Sequence, residues 1–143
     1  MLYKVIYKVY FIKFKNKNID RLYHRLTIRV LNILLPVIFK IFPGNNNSIK
    51  KEQGNKKPEY IVSLTTFPAR INKVWLAIES ILRQKEKPDK IILWLYEGEF
   101  PDKNNLPKNL LSQEKRGLEI RFCDENLMPH KKYFYTMQEY AYA

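Results

Sequence analysis

The sequence predicts an α/β domain, a parallel sheet with flanking helices, preceded by a basic amphipathic helical arm. Three observations predict it. Residues 60–96 read as a short apolar strand, a polar break, a helix with one apolar face, a proline-bearing turn and a second apolar strand, which is the pattern of a βαβ unit. Residues 118–123 repeat the strand signal directly after a glycine. Charge is also uneven: residues 1–42 carry nine Lys or Arg against one acid, Asp20, a net +8 of the chain's +12. At 143 residues, 45% of them hydrophobic and 14% aromatic, the chain is long enough for one ordinary domain and apolar enough to bury a core.

The positive balance calls for an anionic partner: nucleic acid, anionic lipid or a phosphorylated small molecule. The remaining 101 residues carry 17 bases against 13 acids, so the basic character belongs mainly to the arm. No recognisable nucleic-acid-binding motif accompanies it, and no nucleic-acid partner is expected. The single cysteine, Cys123, excludes an intramolecular disulfide and is compatible with a reducing cytosol.

In chain order, the arm comes first, residues 1–44. LYKVIYKVYFIKFKNK alternates bulky apolar residues with lysines. After it, Leu22, Leu26, Val30 and Ile33 or Leu34 fall near helical spacing, with Arg21, Arg25 and Arg29 four apart on another face. Such a pattern suits an anionic membrane surface; a helix packing on the domain and a nucleic-acid arm are the alternatives. A transmembrane span is not expected, because the charge-free stretch Val30 to Phe39 is short and Pro36 interrupts it, whereas a span takes about 20 apolar residues. A signal peptide is not expected either, for no small-residue cleavage site follows. Residues 45–58 are polar and basic with Gly, Asn and Pro, a flexible linker. The domain occupies residues 59–143.

Tyr60 to Thr65 is the first strand, apolar enough for a buried parallel position. Thr66 to Arg70 breaks it, since Pro68 has no N–H for a ladder. Asn72 is a plausible N-cap. Val74, Trp75, Ile78, Ile81 and Leu82 then share one helix face, leaving Lys73, Glu79, Arg83 and Gln84 off it. Pro88 ends the helix and Ile91 to Tyr96 form the second strand. A crossover this short is right-handed with parallel pairing. A short helix is expected from about Pro107, in the first helical position, and Gly117 closes it. The third strand is Leu118 to Cys123. A last helix follows Lys131 and Lys132, with Tyr133, Phe134, Met137 and Tyr140 or Ala141 on one side; its Tyr/Phe cluster is read as core, with a base-stacking platform as the alternative.

In open α/β sheets ligands bind beyond the carboxyl ends of the strands. Thr65 to Arg70, Glu97 to Glu99 and Asp124 to Asn126 therefore share one edge. There Phe67 can offer a ring to a base, Arg70 can grip phosphate through its fork, and Glu97 can accept from base or ribose donors. The same residues also make ordinary loop chemistry, with Thr and Pro shaping the turn and Arg70 solvated. Lys131 and Lys132 oppose the helix dipole at a helix start; a bound diphosphate or plain solvation accounts for them. Neither histidine, His24 or His130, has a metal-ligand partner at a sensible spacing.

The stretches IVSLTTFPARI, VWLAIESILRQKEKPDKIILWL, EGEFP and GLEIRFCDENLMPHKKYFYTMQEY, in this order, resemble the amino-terminal half of GT-A-type glycosyltransferases. They look most like the family 2-like bacterial enzymes of surface-polysaccharide biosynthesis. The resemblance covers about Glu59 to Tyr140. It implies a Rossmann-like sheet and a nucleotide-sugar donor, a UDP-sugar above all, bound by Thr65, Thr66, Phe67 and Arg70. It puts the base contact on Glu97 or Asp124, with Asp124 favoured, and the diphosphate contact on Lys131. The family uses Mg or Mn through an Asp-x-Asp pair on the following strand; the sequence holds no such pair, so it offers no metal ligands and no assignable catalytic residue. The expectation is the donor-binding part of a truncated transferase, inactive alone, cytoplasmic and peripheral at the inner face of the cell membrane, with a second chain as a candidate to complete the sheet. The alternative is a non-catalytic module that docks on a membrane or a partner.

Overall fold

The computed structural model describes residues 7–42, 49 and 60–141. The chain divides into two compact units, Met1–Phe42 and Pro43–Ala143. In the first, helix α1 spans Lys17–Ile41. The Asn16 side chain caps it by accepting from the Asn18 N–H at 2.9 Å, and Asp20 in the first turn suits the dipole. A helical turn at 7–10 folds back on these turns: the Tyr23 hydroxyl donates to the Val9 carbonyl at 2.6 Å, and Tyr10 lies 5.2 Å from His24. Pro36 sits inside α1 without ending it, so the expected interruption is confined to the one backbone donor that proline lacks.

The second unit is mixed helix and strand around a three-stranded parallel sheet. Its elements are β1 (Ile61–Thr65), α2 (Ile71–Leu82), β2 (Lys90–Tyr96), α3 (Lys108–Leu111), β3 (Leu118–Cys123) and α4 (Lys131–Glu139). The strands lie in the order β1-β2-β3. Ile61 stands opposite Lys90 and Thr65 opposite Trp94; Ile91 stands opposite Leu118 and Tyr96 opposite Cys123. This is the α/β class the sequence predicts.

Successive strand residues point to opposite faces, and both faces of β2 are covered. On one face, buried Ile92, Trp94 and Cys123 pack with Ile61, Tyr96, Tyr135 and Tyr140. On the other, Ile91, Leu93 and Leu95 are fully buried, as are Ile78 of α2 and Leu110 of α3. β1 is different. All five of its residues are only half-buried, because among the described residues it pairs on one side alone. The expectation of a buried strand is corrected at this point: the residues suit a centre, but the strand lies at an edge, which is an aggregation hazard when long and apolar.

Four further expectations change. Asn72 is not the N-cap; a 3₁₀ turn at Pro68–Arg70 leads straight into α2, whose cap position is Arg70 with no side-chain bond. The helix after Pro107 keeps only one α turn and continues as a 3₁₀ helix, Ser112–Arg116. Glu79, expected off the apolar face, is 4% exposed. Arg83 Nε donates to its Oε1 at 2.7 Å, while Arg116 and the Gln113 amide reach its Oε2; two guanidinium partners make that burial tolerable. Finally, the side of α4 that faces the sheet is only in part the one expected: Tyr140 packs on the core. Tyr133, Phe134 and Met137 are exposed, Met137 by 68%, whereas Lys131 and Thr136 are buried.

Most of the expected linker, 45–58, lies outside the described residues. Ile49 within it does not behave as linker: it is buried, and its N–H donates to the Arg116 carbonyl at 3.2 Å. Beside it, Gly117 holds φ at +105°, and a Cβ there meets Ile49 Cβ at 2.8 Å. Gly117→Ala is expected to destabilise the domain by about 1–2 kcal/mol from the left-handed backbone alone, more once the clash is added. Urea denaturation checks it; an unchanged midpoint contradicts the geometry.

Candidate functional site at the carboxyl edge of the sheet

The edge is built by three strand ends and the start of α4. After β1, the chain passes through Thr66 and Phe67 into the 3₁₀ turn, closed by the Arg70 N–H on the Phe67 carbonyl at 2.9 Å. The Thr65 hydroxyl donates to the Trp94 carbonyl at 3.0 Å, so its proton is used to tie β1 to β2. Thr66 is buried. Phe67 and Arg70 are exposed, and the guanidinium carbon lies 5.1 Å from the ring centroid, a cation–π arrangement. The loop thus presents a ring and a guanidinium fork together.

At the next strand end, the Glu97 N–H donates to the Cys123 carbonyl at 3.0 Å. Glu97 and Asp124 are therefore neighbours across the ends of β2 and β3, and both are exposed. Asp124 Oδ1 accepts from the Tyr135 hydroxyl at 3.3 Å; the Tyr135 ring stacks on Trp94 at 5.1 Å. Desolvation, together with the nearby Cys123 and Asp124, pushes the Tyr135 hydroxyl pKa up, which keeps it a donor. Burial also pushes the Cys123 thiol up, reinforced by Asp124 and Glu97 and opposed by Lys131. Its Sγ bonds the Leu95 carbonyl at 3.3 Å, the behaviour of a neutral core thiol.

Lys131 is placed otherwise than at an open diphosphate face. It is 3% exposed. Its ammonium donates to Asn126 Oδ1 at 3.0 Å, lies 3.9 Å from Glu99 Oε2 and stands 5.4 Å from the Tyr96 ring centroid. A buried cation needs such answers, and the sequence pattern gave no sign that Glu99 and Asn126 would supply them. Leaving these partners is a condition for Lys131 to reach phosphate. Among the described residues, no hydrogen bond or ion pair joins Phe67 or Arg70 to Glu97, Asp124 or Lys131; the seven predicted residues share the edge as two groups.

The start of α4 is fixed at this edge by a hydroxyl chain. Ser63 Oγ donates to the Lys132 carbonyl at 2.7 Å and shares a 2.8 Å bond with Thr136 Oγ1. Trp94 Nε1 donates to the same Thr136 oxygen at 2.8 Å. At the far end, Lys90 Nζ reaches the Tyr140 hydroxyl at 3.2 Å, so α4 runs antiparallel to the strands. No side chain caps its N-terminus. Met128, just before it, holds φ at +51°, a costly conformation for a residue other than glycine.

Tyr135, Ser63 and Thr136 were missed from sequence. Trp94 was the available signal: an indole N–H inside an apolar strand needs a buried acceptor, and a hydroxyl on the helix that covers that face is the simplest source.

No family model, curated protein or solved structure matches the chain. Among the described residues, no group of three or more His, Cys, Asp or Glu is gathered to hold a metal. Two of the edge carboxylates have partners, Asp124 with Tyr135 and Glu99 with Lys131. An open depression of about 430 Å³ runs beside α4, lined by His130, Tyr133, Phe134, Met137 and Gln138. None of the seven predicted residues lines it. It offers few polar groups to fix a ligand.

Proposed function

We propose that the carboxyl edge binds the nucleoside diphosphate portion of a nucleotide-sugar, a UDP-sugar above all. On this reading the domain is the donor-binding part of a GT-A-type glycosyltransferase of surface-polysaccharide biosynthesis. One observation carries the proposal: the exposed Phe67–Arg70 pair on the loop after β1, at the same sheet edge as the exposed carboxylates of Glu97 and Asp124. Phe67 gives a base a flat apolar face. Arg70 gives phosphate oxygens a bidentate fork. Asp124, steadied by Tyr135, accepts an N–H from the base, and Glu97 accepts from base or ribose. Thr65 and Thr66 shape the loop that presents the pair. Lys131 adds positive charge beneath the edge and reaches diphosphate only by exchanging Asn126. The sequence holds no Asp-x-Asp pair, so the proposal is confined to binding and includes no sugar transfer by this chain.

Calorimetric titration with UDP and UDP-sugars tests it. Saturable heat is expected. Arg70→Ala is expected to weaken binding by about 1.5 kcal/mol or more, the value of a hydrogen bond to a charged group, which is roughly tenfold in affinity. No heat and no thermal shift with any nucleotide contradicts the proposal and leaves the docking-module alternative standing.

A further inference from the structure

We infer that α1 lies in the plane of an anionic lipid surface, with one straight apolar stripe immersed and its basic residues at the headgroups. Ile19, Leu22, Leu26, Val30, Ile33 and Val37 are separated by 3, 4, 4, 3 and 4 positions, an average of 3.6. That average is the repeat of an α-helix, so the stripe runs straight along α1. All six are exposed, Leu22 by 54% and Ile33 by 69%, and no residue of the helix is buried. Within its own unit the stripe is left uncovered.

Two properties of the helix choose its occupant. The first is periodicity. A left-handed coiled coil keeps its seam facing the partner through a 3.5-residue repeat. At 3.6 the seam drifts by about 20° per heptad from that of a supercoil, whereas a flat surface is met along the whole length. The second is charge. Arg21, Arg25 and Arg29 follow one another four positions apart and wind from the far face toward one edge of the stripe, where Lys40 also lies. Among residues 7–42 the only acid is Asp20, which accepts from the Phe14 N–H at 3.0 Å and lies 3.6 Å from His24. Long basic side chains beside an apolar stripe lay their stems on it and carry their charge to anionic headgroups. By length and composition alone α1 is also long and apolar enough to cross a bilayer. Crossing places Arg25 and Arg29 within the hydrocarbon, at a cost of about 2.5–3.5 kcal/mol each near its centre; lying flat leaves both at the headgroups.

Flotation of the full chain with vesicles tests this, using phosphatidylcholine alone against phosphatidylcholine with phosphatidylglycerol. The chain is expected to float with the anionic vesicles, to float less as salt rises, and to be released by alkaline carbonate. Leu26→Gln with Ile33→Gln removes two immersed side chains and is expected to lower partitioning roughly a hundredfold or more. Ile28→Gln, a neutral change of the same kind off the stripe, is expected to leave partitioning within about a factor of three, the few tenths of a kcal/mol of an ordinary surface substitution. Equal flotation with uncharged vesicles overturns the inference. So does resistance to carbonate, which marks a span. A dimer in lipid-free solution that the double substitution abolishes, with no vesicle binding, overturns it in favour of a second copy. Nucleotide binding at the sheet edge is read independently, by calorimetry without lipid, so neither result decides the other.

Discussion

Glu79→Ala is expected to destabilise the domain by about 3–5 kcal/mol, the range for removing one member of a buried ion pair. Glu79 is almost fully buried and answers two guanidinium groups, Arg83 and Arg116, besides the Gln113 amide. Arg116 already has two buried nitrogens, Nε and Nη2, without a hydrogen-bond partner. Losing Glu79 leaves that charge uncompensated. The pair also predicts a pH dependence. Burial raises the Glu79 pKa, but hydrogen bonds from Arg83 and Arg116, with their charges, outweigh it and hold it below its usual 4.5. A lowered folded-state pKa contributes stability that is present above the unfolded value and is lost as pH falls through the folded one. Wild-type stability is therefore expected to drop as pH falls below about 4.5, the ordinary value for the group. Denaturant titrations on both sides of this window, with wild type and variant, check it. A difference between the two proteins that stays constant across the window contradicts the linkage.

Leu93→Ala is expected to lower stability by about 2–5 kcal/mol, the cost of a buried leucine cavity. Leu93 is fully buried in the central strand, flanked on its own face by Ile91 and Leu95. Met137→Ala, in contrast, is expected to stay within about 0.5 kcal/mol of wild type, because Met137 is 68% exposed. Thermal and urea unfolding of the two variants separate them. A large loss at Met137 contradicts the orientation of α4.

That contrast shows where the fold was legible. The strands β2 and β3 were found within a residue or two, and α2 at its start, because their patterns are local: a run of Ile and Leu bounded by Pro88 and Glu97, alternation after Gly117, and one apolar helix face; α2 ends at Leu82, where that face ends, well before Pro88. Orientation of α4 was not local. Its Tyr, Phe and Met residues form the greasier side, yet the sheet offers the Ser63 hydroxyl and the Trp94 indole, and these require Thr136. The hydrogen bonds that Thr136 makes to the buried Trp94 indole and the half-buried Ser63 hydroxyl outweighed apolar burial on that helix. Glu79 escaped notice for a similar reason, since its partner Arg116 lies 37 positions away. The candidate site was legible in its position and in its exposed members. What could not be read was how Lys131 would be neutralised, because Glu99 and Asn126 meet it only after the strand ends are brought together.

The central claim is that this edge recognises a nucleoside diphosphate, and chemical-shift mapping of the backbone amides during titration with UDP tests it most directly. The account predicts saturable shifts at Thr66 to Arg70, at Glu97 and from Asp124 to Lys132, with none along α1. Shifts confined to the basic arm, or none at saturating nucleotide, contradict it.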